Sequence, residues 1–162
     1  DPSSISDFYN LSKLMGESLI LNCDLPNARI ARVSYAVDFA DDSTDNISVF
    51  LRAALTGSVK FTAHEESVKD YVVINDVIDV LPKIALHGKS KIYNVASGEN
   101  ISTHQIANLL VEELGCSIEF IPGEQVRSPQ QIDISLLSSE MSYRPMSLLD
   151  YARQVIQRGS TK

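Results

Sequence analysis

The chain has 162 residues, 44% hydrophobic and 22% charged, the composition of one ordinary folded domain with enough apolar material for a real core. Its formal net charge is −7 and it holds no run of Lys and Arg, which argues against nucleic-acid binding. No apolar run is long enough to span a membrane, but a phosphorylated ligand remains possible, because one or two placed cations suffice to hold it.

The spacing of Leu11, Leu14, Met15, Ser18, Leu19 and Asn22 predicts an amphipathic helix over 5–23, with Ser6 as its N-cap. On that helix Tyr9 and Lys13 stand four residues apart and project from one face. An ammonium beside a phenol favours phenolate and draws its pKa down from about 10 toward neutrality, which makes an acid–base group. The other reading is a solvent-facing pair in which the lysine stem covers the ring. The turn residues Asp24-Leu25-Pro26-Asn27 precede a strand over 28–37, and the acidic stretch 38–45 reads as a loop.

Asp45 or Asn46 then caps a helix through Leu55, closed by Gly57. Strands are expected over 59–62 and 68–74, with a turn at His64-Glu65-Glu66-Ser67 between them. Asn75 should cap a helix over 76–86 that Pro82 kinks or splits. A strand over 91–96, a tight turn at 97–100 and a capping box at Ser102-Thr103-His104-Gln105 lead into a helix ended by Gly115. A strand over 117–121, a turn at Pro122-Gly123, a short helix over 133–141 and a last helix opened by a capping box at 147–150 complete the chain, with a frayed tail over 159–162. Alternating helices and strands with short connections argue for an α/β fold with parallel pairing.

Cys23 and Cys116 lie far apart without metal-ligand spacing and read as reduced thiols of a cytosolic protein. His64, His87 and His104 fall in a turn, at a helix end and in a capping box, so no metal site is expected. The chain begins Asp1-Pro2, without methionine, and enters an organised helix almost at once, which has the look of part of a longer protein.

Several stretches in order resemble the C-terminal portion of the extended short-chain dehydrogenase/reductases, the NAD-dependent epimerase/dehydratase group that acts on nucleotide sugars, UDP-glucose 4-epimerase among them. They are Tyr9-x-x-x-Lys13 with Glu17; Arg32-Val33-Ser34; Lys69-Asp70-Tyr71 running on to Val77; Ile92-Tyr93-Asn94 running on to Glu99; and Ile132-Asp133-Ile134-Ser135. The resemblance spans nearly the whole chain. It implies the trailing part of a Rossmann-type parallel sheet and a smaller C-terminal substrate-binding region. The divisions it implies are 1–36 for the catalytic helix and following strand, 37–67 for a substrate-region insertion, 68–97 for the last Rossmann strand and helix, and 98–162 for the substrate-binding region.

It also implies roles. Tyr9 would be the catalytic acid–base, exchanging a proton with a sugar hydroxyl or carbonyl while hydride moves to or from the nicotinamide of NAD or NADP. Lys13 would hydrogen-bond the nicotinamide ribose, so Tyr9 and Lys13 are also the cofactor contacts. Lys69 and Arg127 match the family's contacts to the substrate diphosphate, and Tyr35 stands where relatives carry a substrate-binding Asn. A nucleotide-diphosphate sugar is the implied partner, and the first helix is compatible with a homodimer or with packing against a missing half.

Three departures matter. Lys69 replaces the usual Arg and cannot make a bidentate fork. Tyr35-Ala36-Val37 replaces the common Asn-Val-Tyr and its Gly-Pro turn. No Gly-rich turn follows a first strand to seat a pyrophosphate, so the chain on its own is expected to bind no dinucleotide and to be inactive. A non-catalytic member of the same fold, binding a sugar nucleotide or a partner, is the alternative.

Overall fold

The computed structural model describes residues 5–39, 43–121 and 125–159. Residues 40–42 of the acidic loop, the Pro122-Gly123 turn and the tail from Ser160 lie outside the described residues.

Ile5–Asn22 form α1, which opens before Ser6, so Ser6 lies inside the first turn instead of capping it. The single strand expected over 28–37 is two strands, β1 (Ile30–Val33) and β2 (Tyr35–Val37). The break is at Ser34. Its N–H donates to the Val95 carbonyl, while its hydroxyl turns to Asp70 at 2.7 Å. The chain changes partner at that residue: β1 pairs in parallel with β5 (Ile92–Val95), and β2 in parallel with β4 (Val68–Val73).

Asp45 caps α2 (Asn46–Leu55), its carboxylate accepting from the Ser48 N–H at 2.9 Å. Burial pushes this carboxyl up, but hydrogen bonds from Ser43 and Ser48 outweigh burial and leave its pKa lowered. Thr56 closes the helix, and Gly57, at φ +100°, turns the chain into β3 (Ser58–Phe61). The helix after β4 is α3 (Ile74–His87); Val73 holds its cap position, and Asn75 lies within its first turn, contrary to the expected capping role. It also runs unsplit through Pro82. The carbonyl that Pro82 leaves unpaired is that of Ile78, a residue on the solvent side, where water can satisfy it.

A short strand absent from the sequence reading, β6 (Asn100–Ser102), pairs antiparallel with β4, placing Asn100 opposite Asp70. The expected capping box then opens α4 (Thr103–Leu114), and Gly115 ends it at φ +65°. β7 (Ser117–Phe120) pairs in parallel with β3, and α5 (Ser135–Met141) and α6 (Leu148–Gly159) follow. The fold is α/β with three parallel strand pairs. Among the described residues no helix is long and apolar enough to cross a membrane. Both cysteines are free, Cys23 exposed and Cys116 buried.

Alternation along β4 divides the interior. Tyr71 packs toward one core built on Val37, Leu51, Phe61, Leu110 and Ile156. Val72 faces a second core of Val80, Ile84, Tyr93, Val95 and Leu137. α1 joins neither. Phe8, Leu11, Leu14, Met15 and Leu19 are all exposed, so its apolar stripe lies open.

Phe61 is fully buried between the rings of Phe50, at 4.3 Å, and Phe120, at 5.4 Å. Phe61→Ala should cost about 3–5 kcal/mol, because the cavity it leaves is walled by two rigid rings. Urea unfolding reads this directly, and a loss below about 1 kcal/mol would refute the packing described.

Candidate functional site

The site is built outward from one buried carboxylate. Asp70 is 4% exposed and accepts from the Ser34 hydroxyl at 2.7 Å, the Ser97 N–H at 2.9 Å and the Gly98 N–H at 2.7 Å. These bonds tie β4 to the β1–β2 junction and to the β5–β6 turn. Gly98 is suited to that turn: its φ is +73°, and a Cβ there would meet the Ile134 side chain at 2.9 Å.

Of the residues singled out in the sequence, Tyr9, Tyr35 and Lys69 share a hollow with this carboxylate, while Lys13 and Arg127 border adjoining ones. Tyr35 follows Ser34 directly and pairs in register with Tyr71. Lys69 precedes Asp70, and its Nζ lies 4.6 Å from the centre of the Tyr35 ring. Arg127 is anchored by its backbone: its N–H donates to the Ser67 hydroxyl at 3.0 Å and its carbonyl accepts from the Val68 N–H at 2.8 Å. Tyr9 reaches the same region from α1, 62% exposed. The Lys13 ammonium lies 5.2 Å from the centre of the Tyr9 ring, so the two meet as cation over ring.

Three hollows connect these side chains. A cleft of about 400 Å³ is lined by Tyr9, Tyr35, Lys69, Asp70, Asn100 and Ile132, among others. A smaller cavity of about 170 Å³ is lined by Lys69, Arg127, Tyr71, Phe50 and Thr103, among others. A wide groove of about 790 Å³ separates α1 from β1 and is bordered by Tyr9, Lys13, Glu17 and Arg32. Tyr9 borders the groove and the cleft; Lys69 borders the cleft and the cavity. Tyr9, Tyr35 and Lys69 therefore share one hollow, Lys69 and Arg127 share the next, and Lys13 lies on the far side of Tyr9.

The groove is bridged by Glu17 and Arg32, with Arg32 Nε donating to Glu17 Oε2 at 3.0 Å. That hydrogen bond holds the Glu17 carboxyl below the usual carboxylate range. Among the described residues no Gly-rich turn leads from a strand into a helix. No cluster of metal-ligating side chains exists among the described residues.

Sequence reasoning missed Asn100, which it placed only in a turn, and the part played by Ile132 and Pro129 in walling the cleft. The register of β6 against β4 brings Asn100 there, and that short strand has no periodic pattern to announce it.

No family model matches the chain, and no curated protein matches it. Solved structures do. A dTDP-glucose 4,6-dehydratase from Bacillus anthracis in complex with NAD superposes with a TM-score of 0.75 at 15% identity, covering 93% of this chain and 49% of that one. The Bordetella bronchiseptica enzyme WbmG, in complex with NAD and UDP, gives 0.73 at 18% identity over 93% and 49%. A UDP-glucose 4-epimerase from Thermotoga maritima with UDP-glucose gives 0.64 at 19% identity over 83% and 47%. The chain thus spans about half the length of the structures it matches. Its fold is that of about half of each of these structures.

Burial pushes the Tyr71 phenol from 10.0 up to about 12, with Tyr35 and Asp45 adding to the shift. Below pH 10 the phenol is neutral in both folded and unfolded chains, and this contribution to stability is fully present. Between pH 10 and 12 only the unfolded chain releases the proton, so stability should fall with rising pH, by at most about 1.4 kcal/mol per unit for this group. Urea unfolding across that range should show a shallower fall for Tyr71→Phe than for wild type; equal slopes would place Tyr71 in a wetter setting than described.

Proposed function

We propose that this chain is the substrate-side part of an NAD(P)-dependent enzyme that epimerises, dehydrates or reduces a nucleotide-diphosphate sugar. The observation that carries this is the run of shared walls: Tyr9 and Lys69 on one cleft, Lys69 and Arg127 on the adjoining cavity. A sugar in the cleft places its hydroxyl or carbonyl against the Tyr9 phenol. A diphosphate then spans the two cations, Lys69 as a point charge and Arg127 as a planar fork. The likeness of the fold to NAD-bound and UDP-bound enzymes supports the same reading.

A nicotinamide would supply the hydride step, arriving from a dinucleotide-binding part that this chain does not provide. Within the chain, Tyr9 exchanges the proton with the sugar oxygen, and Lys13 presents its ammonium to the nicotinamide ribose. Tyr35, in place of a small amide, narrows the sugar cleft, and the Lys69 ammonium above its ring fixes that wall. The open apolar stripe of α1 is assigned to contact with a second copy, a pairing that sedimentation equilibrium reads directly; a monomer at micromolar concentration would refute it.

Turnover is measured with the polypeptide carrying this chain together with its dinucleotide-binding part, using UDP-, GDP- and dTDP-sugars. Tyr9→Phe should lower the rate by about 10²–10⁴-fold while leaving sugar-nucleotide affinity nearly intact. Unchanged turnover would overturn the catalytic assignment. Binding without turnover by the wild type would favour the non-catalytic reading, for which the departures at Tyr35 and Lys69 speak. Calorimetry of this chain alone should show no micromolar binding of NAD, and such binding would overturn the division of labour proposed here.

A further inference from the structure

Among the described residues the Lys69 ammonium forms no ion pair; it lies 4.6 Å from the centre of the Tyr35 ring. Strand geometry puts it there. Side chains alternate along β4, so Lys69 and Tyr71 share one face and Asp70 points to the other, where Ser34, Ser97 and Gly98 occupy its oxygens. β2 runs alongside with Tyr35 in register with Tyr71, which leaves Lys69 diagonal to Tyr35 and within reach of its ring. Tyr71 backs that ring in turn, with ring centres 6.1 Å apart, and itself packs on the core that holds Val37 and Phe61.

An aromatic ring holds an ammonium differently from a carboxylate. It attracts the cation through its quadrupole and carries no net charge, so the positive charge stays available to an anion. This matters for a lysine, whose ammonium rides on a flexible four-carbon stem and has no planar fork to orient it. A stem left free must be ordered when the anion binds, at a cost in affinity; a stem already resting on a ring is ordered beforehand. Tyr35 is 60% exposed and lines the cleft beside Lys69, and Lys69 also lines the cavity it shares with Arg127. The pair stands where the two hollows meet.

We propose that Tyr35 is a positioning residue for anion binding, its ring holding the Lys69 ammonium at the junction of cleft and cavity for the diphosphate of the ligand. This rests on the reading of Lys69 as a diphosphate contact and adds to it what keeps that cation in place. Tyr35 acts on the diphosphate through Lys69, and it does so with its ring; the hydroxyl is dispensable for this role.

The test is calorimetry of the chain with UDP, GDP and dTDP, free of any sugar, carried on with the tightest of them. Tyr35→Leu should weaken that diphosphate about three- to fivefold, and Tyr35→Phe, which keeps the ring, should bind it like the wild type. Lys69→Met should weaken it about tenfold. On that background Tyr35→Leu should change nothing further, since no ammonium remains to be held. A Tyr35→Leu loss as large without Lys69 as with it, a loss shared by Tyr35→Phe, or no loss at all overturns the role of Tyr35 alone. If Tyr35→Leu does not fold, NMR of the wild type still decides. The Lys69 ε-methylene signal, assigned through Lys69→Arg, should be shifted upfield by the ring beneath it and stay so when the diphosphate is added. An ordinary lysine position, or loss of the upfield shift on saturation, overturns the proposal. If none of these diphosphates binds the wild type, the diphosphate reading of Lys69 is overturned, and this inference with it.

Discussion

The arrangement of this molecule depends on the Asp70 carboxylate. A carboxylate taken out of water is tolerated where donors replace its hydration, and Asp70 gathers three from two distant segments, Ser34 and the Ser97-Gly98 turn. The consequence is positional. Tyr35 is one residue beyond Ser34, Lys69 one residue before Asp70, and Asn100 directly opposite Asp70 across the ladder. One charge therefore fixes the ring, the cation and the amide that wall the cleft. Losing it would release all three at once, while the apolar cores on either side of β4 would remain.

This explains which parts of the chain were legible beforehand. The capping box at Ser102 and Gln105, the Gly115 stop and the Asp45 cap involve residues close in sequence, and local rules found them. The break at Ser34 was invisible because nothing in Ala31-Arg32-Val33-Ser34-Tyr35 departs from a strand pattern; the break is made by Asp70, far along the chain. β6 escaped for the same reason, since three residues hold no periodicity and only pairing with β4 defines them. Asn75 misled because cap residues are recognised by type, whereas here the strand hands over to the helix at Val73 without a side-chain cap. Pro82 misled because its cost depends on where the freed carbonyl points, and that lies in the tertiary structure.

The candidate site was legible to a different degree at its two ends. Lys69 and Tyr35 were found through motif context, and the structure joins them as cation over ring. Asn100 carried no such context. An amide in a turn is ordinary in sequence; only its place on β6, in the wall of the cleft, distinguishes it from others of its kind.

The two ends also differ in stiffness. Lys69, Asp70 and Asn100 sit on paired strands, and Arg127 is stapled by its backbone to Ser67 and Val68. Tyr9 and Lys13 sit on a helix whose side-chain tie to the sheet, among the described residues, is the Glu17–Arg32 pair. Arg32 is largely exposed there, and pairs so placed contribute about 0–1 kcal/mol and weaken with salt. The same helix leaves Phe8, Leu11, Leu14, Met15 and Leu19 in water, an apolar stripe that soluble proteins bury when they can. The ligand contacts proposed for Lys69 and Arg127 thus rest on backbone that the sheet holds in place. The acid–base role proposed for Tyr9 needs that side chain held to a fraction of an ångström, and the exposed α1 does not hold it so by itself. The two proposed roles, recognition and acid–base chemistry, therefore fall on parts of the chain that differ in how firmly they are held, the first on paired strands and the second on a helix tied to the sheet by an exposed ion pair.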